Sequence, residues 1–167
     1  MIVSLAVLGF VTLLRLGELV YARANTKRLL ALGGREVGAA HYPLIVVMHA
    51  AWLIGLWALA WNRAVSLPWL AAFAAIEVAR IWVLASIGRR WTTRIIIVPG
   101  ETLVAKGPYR FIPHPNYAVV TAELIALPMV FGFWGFALLF TALNAAMLWV
   151  RIRAENAALA QVVRPAS

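Results

Sequence analysis

Of the 167 residues, 64% are hydrophobic and 13% charged, against about 45–50% and about 25% in soluble globular domains, which excludes a soluble fold. The formal charge of +9 does not point to nucleic acid, because the basic residues punctuate apolar runs instead of gathering on a face with aromatics between them. The absence of cysteine removes disulfides, thiolate catalysis and Cys-ligated metals.

Five apolar segments follow one another, at residues 2–21, 42–61, 67–87, 117–131 and 135–150. At these lengths helices are the structures that satisfy their own backbone in lipid. The first segment lacks a basic leader and a small-residue cleavage site before Arg15, so it is expected to be a retained helix. The last two are short and separated only by Gly132-Phe133-Trp134, which predicts a tight hairpin; four full spans plus a buried hairpin is the variant. The expected fold class is an all-α integral membrane protein of about five transmembrane helices, a single membrane-embedded domain over residues 1–167. Lys and Arg cluster after the first, third and fifth segments, with Arg63 alone in an opposite loop. The positive-inside rule therefore places the N-terminus outside and the C-terminus in the cytoplasm. Thirteen Arg against two Lys, with abundant Ala, fit a GC-rich bacterium and hence a bacterial inner membrane. Most of the eight Trp fall near segment ends, as an aromatic belt requires.

Residues 88–116 form the longest stretch outside the spans. They are expected to be an ordered cytoplasmic connector with a short extended piece at Ile95-Ile96-Ile97-Val98, and ordered connectors of this length are usually functional. Within the spans, Arg15 with Glu18 and Glu77 with Arg80 are spaced i,i+3, so each pair is expected to neutralise itself on one helix face. Glu123 has no such partner; Arg15, Arg80 and Arg151 are the candidate cations, and pocket lining with substrate contact is one of its two expected roles, helix packing the other. His41 and His49 are expected at the interface or in interhelical hydrogen bonds. Three scattered histidines with few carboxylates make a poor metal site, so no metal is expected.

The block Gly107-Pro108-Tyr109-Arg110-Phe111-Ile112-Pro113-His114-Pro115-Asn116-Tyr117 is the most informative. Two prolines fix the backbone around His114, Tyr109 and Tyr117 flank it, and Asn116 can cap the fourth helix. Farther on, Arg151 and Glu155 share one face of a helix leaving the membrane. The hairpin returns them to the level of His114 and Tyr117.

These residues resemble the signature of the isoprenylcysteine carboxyl methyltransferases and the related phospholipid methyltransferases, G-x-Y-x-x-x-R-H-P-x-Y followed after a helical hairpin by R-x-x-x-E. The likeness extends to Glu101-Thr102-Leu103-Val104 and, as in the bacterial branch, to residues 15–19 and 88–94. It implies S-adenosyl-L-methionine as cofactor, with the cofactor-binding and catalytic part in residues 88–160. Thr102, Leu103, Val104 and Tyr109 would wall the pocket, with Glu101 and Arg94 at its rim. His114, Pro115, Asn116, Tyr117 and Glu155 would hold the cofactor, and Arg151 would orient the acceptor. Arg151 and Glu155 are thus the catalytic pair that the resemblance names. Two departures stand out: Pro113 occupies the usual arginine position, so that either another Arg, such as Arg110, substitutes or activity is weakened, and Asn156 follows Glu155 where a second Glu is common.

The function that the resemblance implies is methylation, at oxygen in the favoured reading, of a lipophilic acceptor entering from the bilayer among the membrane lipids. An isoprenylcysteine-like carboxylate and a phenolic or pyrone polyketide lipid are the acceptor classes, and an amine phospholipid headgroup is the nearest variant. Two other classes stay open at this level: a sterol-type membrane reductase using NADPH, and a small proton-coupled multidrug transporter with Glu18 as its carboxylate.

Overall fold

The computed structural model describes residues 1–100 and 104–163, with the backbone alone for residues 160–163. Five helices form it: α1 (Ile2–Ala31), α2 (Tyr42–Ala60), α3 (Leu67–Ile87), α4 (Pro115–Val130) and α5 (Trp134–Val163). Two three-residue strands, β1 (Arg35–Val37) and β2 (Ile95–Ile97), pair antiparallel with Glu36 opposite Ile96. The extended piece expected at residues 95–98 is thus β2. Its partner, a charged tripeptide without alternation, was not anticipated.

Four helices, α1, α2, α3 and α5, are long and apolar enough to cross a membrane. The protein is an all-helical integral membrane protein. Its outer surface shows why lipid must be its solvent: Leu13, Ile54, Ile81 and Trp134 are 68–71% exposed, yet they are apolar. With 16 residues, α4 rises about 24 Å, short of a hydrocarbon core of about 30 Å. It packs between α3 and α5 and is the most buried helix, with Leu124, Leu127, Pro128 and Val130 inside. Four spans are found, as in the variant, but the shorter buried element is α4 alone and not a hairpin, because α5 is itself long enough to span.

Two helices run beyond the apolar segments that announce them. Each of α1 and α5 has 30 residues, about 45 Å of rise. The stretch after Tyr21 is polar but rich in Ala, Arg, Lys and Leu, all strong helix formers, so the helix continues after the apolar run ends. The same holds past Val150, and this extension carries Arg151 and Glu155.

The core joins all five helices through Leu8 and Val11, Trp52 and Leu56, Phe73, Leu124 and Leu127, and Phe140. Trp52 and Trp91 are buried, so these two depart from the interfacial belt. Gly55 lets α2 approach α5: a Cβ there would stand 2.9 Å from the Phe136 ring. Gly107 has φ +58°, and a Cβ would lie 2.0 Å from Ser86 Oγ. The signature glycine is therefore required twice, by its left-handed backbone and by the close packing of the connector on α3.

Candidate active site

The end of the bundle that carries the connector also carries the C-terminal extension of α5, and the two meet at α4. Pro115 is the first residue of α4, where a missing N–H costs nothing. His114 stands as the capping residue without a side-chain cap. The expected cap by Asn116 is not formed, because residue 116 already lies inside the helix; its Oδ1 instead accepts from Trp91 Nε1 at 3.3 Å.

Tyr117 is the hub. Its hydroxyl donates to Glu155 Oε2 at 2.5 Å and accepts from Arg151 Nε at 2.8 Å. Arg151 Nη2 donates to the Thr93 carbonyl at 2.8 Å, and its guanidinium stands 5.5 Å from the Tyr117 ring centre. On the other side, the His114 and Tyr117 rings stack at 5.2 Å and 21°, and His114 Nδ1 is 3.7 Å from Glu155 Oε2. The phenol therefore links His114 and Glu155 on one side to Arg151 on the other. Arg151 and Glu155 do not form the simple i,i+4 pair their spacing allows; the hydroxyl bridges them.

Tyr109 is half-buried beside this network. Burial, and after it the Glu155 carboxylate, push its phenol up to about 12, so it remains an uncharged wall. Val104 is half-buried too. Glu101, Thr102 and Leu103 lie outside the described residues. Arg94 is committed elsewhere: it donates to Glu36 at 2.6 Å and lies over the Tyr42 ring at 4.4 Å. The bond to the Glu36 carboxylate raises its already high pKa further. Arg110 is exposed, 5.8 Å from the Phe111 ring centre, and does not reach the network in place of the arginine missing at position 113.

Sequence reasoning missed the struts behind the site. Asn25 Nδ2 donates to the Trp91 carbonyl at 2.8 Å, Tyr21 stacks on Trp91, and the Tyr42 and Thr93 hydroxyls lie 2.9 Å apart. The first two helices thus hold residues 91–93, and Thr93 in turn holds Arg151. The block at residues 88–94 stood out in the sequence without a role.

Glu123 sits apart from this network, deep in the bundle. Arg15 Nη2 lies 3.0 Å from it, and Arg80 Nη1 reaches both its oxygens at 3.1 and 3.2 Å. Two of the three candidate cations are therefore its partners. Arg15 also binds Glu18 at 2.6 Å and Glu77 at 3.1 Å, while Arg80 binds Glu18. The expectation of two self-neutralising pairs holds for Arg15 and Glu18; the network otherwise ties α1, α3 and α4 together across helices. Glu18, clasped by two guanidiniums, is unlike the free carboxylate that a proton-cycling transporter needs. Of the histidines, His49 bonds the Ile45 carbonyl of its own helix, not a neighbouring helix as expected.

These features define a polytopic membrane protein with a compact polar site at one end of its helices. The family model for the isoprenylcysteine carboxyl methyltransferase (ICMT) family matches residues 69–161, which includes the whole Tyr117 network. The chain belongs to this family of membrane methyltransferases. It is also similar to "Uncharacterized protein YpbQ" of Bacillus subtilis (strain 168), with 41% identity over 150 residues, 87% of this chain and 89% of that protein. No solved structure matches it.

Proposed function

We propose that the protein transfers a methyl group from S-adenosyl-L-methionine to an oxygen of a lipophilic acceptor at the membrane interface. The observation that carries this is the Tyr117 hydroxyl, which donates to Glu155 and accepts from Arg151 and so divides a carboxylate side from a guanidinium side. The carboxylate side fits the cofactor: Glu155 can pair with its ammonium, and the stacked His114 and Tyr117 faces suit a sulfonium. When bound, the cofactor supplies an electrophilic methyl whose sulfur–carbon electrons return to sulfur. The chain's own residues then contribute alignment and a dry site. Arg151, positioned through Tyr117 and Thr93, presents a cation to an acceptor oxygen, which favours a carboxylate or phenol-type nucleophile over an amine. An isoprenylcysteine-like carboxylate and a phenolic or pyrone lipid both meet that requirement.

Calorimetry on the purified chain in detergent tests the cofactor. Saturable binding of S-adenosylmethionine or its demethylated product is expected; heat from NADPH alone would move the protein to the reductase class. The orientation is proposed with the site end cytoplasmic, where the cofactor is found. Single cysteines at Lys106 and Asn156 should both label from the cytoplasmic side, and labelling from opposite sides would break the site apart.

A further inference from the structure

A cavity of about 330 Å³ begins at Thr93, Tyr117 and Arg151 and continues into the middle of the bundle, where Arg15, Glu18, Arg80 and Glu123 border it. Leu16, Val46, Leu53, Val120 and Leu148 line the stretch around these polar ends. Glu123 follows Tyr117 by six residues on α4, and His49 follows Tyr42 by seven on α2. At the helical rise, the two polar ends are therefore about 9–11 Å apart. The cavity is a chamber with a nucleophile end and a second polar end, joined by apolar wall.

The charges at the deep end are already engaged with one another. Two guanidiniums and two carboxylates border the cavity there, each already held in an ion pair, and Glu77 pairs with Arg15 behind them. Two uncharged groups beside them are not satisfied. His49 Nδ1 is 2.9 Å from the Ile45 carbonyl; a carbonyl only accepts, so Nδ1 carries the hydrogen and Nε2 offers a bare lone pair. No donor among the described residues meets that lone pair. Trp52 is 3% exposed, and its indole N–H finds no acceptor among the described residues. Both residues line the cavity. A buried indole N–H left open in this way, beside the unmet lone pair of the half-buried His49, marks a place where something polar belongs.

We propose that the deep end is a second recognition subsite for the acceptor, taking an uncharged hydrogen-bonding group such as a hydroxyl about 9–11 Å from the nucleophilic atom. A hydroxyl can donate to His49 Nε2 while accepting from the Arg15 guanidinium or the Trp52 indole. A bare hydrocarbon tail would leave these groups unpaired. A charged group would be costly to desolvate beside ions that already hold one another. The acceptor is then an amphiphile with two polar points, not one polar head on a plain chain. The inference rests on reading the Arg151 end as the site of the nucleophile.

Three probes on the full chain in detergent test it by calorimetry against a micelle blank: octanoate, ω-hydroxyoctanoate and ω-aminooctanoate. The carboxylate addresses Arg151, and the far end addresses the subsite. The hydroxylated probe should bind at least about tenfold tighter than octanoate. His49→Leu should erase that preference and leave octanoate affinity unchanged. Equal binding of the two by the wild type overturns the proposal whatever the variant does, as does tighter binding of the amino probe. A preference that survives in folded His49→Leu also overturns it. Cofactor binding measured on the same sample separates the two readings: a hydroxyl preference without cofactor binding sinks the methyltransferase reading alone, and cofactor binding without the preference sinks the subsite alone.

Discussion

Two networks of charged side chains among the described residues are built on opposite plans. At the end of the bundle a neutral hydroxyl, Tyr117, stands between Arg151 and Glu155, and each charged group retains bonding capacity for a ligand. In the middle, Arg15 and Arg80 are set directly against Glu18, Glu77 and Glu123. Depth explains the difference. At the interface water and ligands can complete a charge, so an open arrangement is affordable; within the hydrocarbon an uncompensated charge is costly, so partners must be supplied by neighbouring helices. The deep network is consequently structural as well as polar, while the shallow one is free to serve chemistry.

The sharpest way to break that contrast is through stability. Arg80→Met leaves Glu18, Glu77 and Glu123 with Arg15 as their shared cation, and removing one partner of a buried ion pair costs about 3–5 kcal/mol. A large fall in melting temperature in detergent, or loss of a monodisperse peak, is expected. Arg151→Ala should do much less, because its described hydrogen-bond partners are a hydroxyl and a carbonyl. Equal destabilisation by the two would erase the distinction.

Ligand binding divides the shallow network itself. Glu155→Gln should weaken the cofactor at least tenfold, since losing one member of a desolvated hydrogen-bonded charge pair costs about 2–5 kcal/mol. Arg151→Ala should leave cofactor affinity nearly intact and depress turnover of a confirmed acceptor. Folded variants that bind and turn over like wild type would put the site elsewhere. An exposed i,i+4 pair, by comparison, would show about 0.3–0.5 kcal/mol of stability and no ligand selectivity.

The smallest effect concerns Tyr109. Its phenol is pushed up to about 12 in the folded chain, above the ordinary value of about 10. The folded state therefore holds this proton more tightly than the unfolded state does. Its stabilising contribution is complete below pH ~10 and is lost as pH rises through about 12. Thermal melts across that range should show a decline that Tyr109→Phe reduces; an identical decline in both proteins would remove Tyr109 from the buried edge of the site.

What could be read from the sequence follows the same division between local and non-local information. The apolar runs located all five helices, and the spacing of His114, Tyr117, Arg151 and Glu155 around a hairpin located their meeting. Glu123 without an i,i+3 partner announced that a cation must come from elsewhere. The crossing of Arg15 to Glu77 and of Arg80 to Glu18 was hidden, because spacing reports one helix face and says nothing of which faces meet. β1 was hidden because Arg35-Glu36-Val37 is stabilised by Ile95-Ile96-Ile97 far along the chain, not by a pattern of its own. The bridging role of the Tyr117 hydroxyl was obscured for a similar reason: i,i+4 spacing made Arg151 and Glu155 look like each other's partners.

The β1–β2 pairing, with the Asn25–Trp91 and Tyr42–Thr93 contacts, fastens the first two helices to a connector that belongs to the family-matched part of the chain. Those helices contribute Leu16, Val46, His49, Trp52 and Leu53 to the chamber, whereas Tyr117, Arg151 and Glu155 come from the other side of the joint. Diversification can therefore proceed on one side at a time. Substitutions at Leu16, Val46 and Leu53 would reshape what the chamber admits while leaving Tyr117, Arg151 and Glu155 in place, whereas an exchange of α1 and α2 as a whole must keep Arg15, Glu18, Asn25 and Tyr42, which tie them to the rest of the chain.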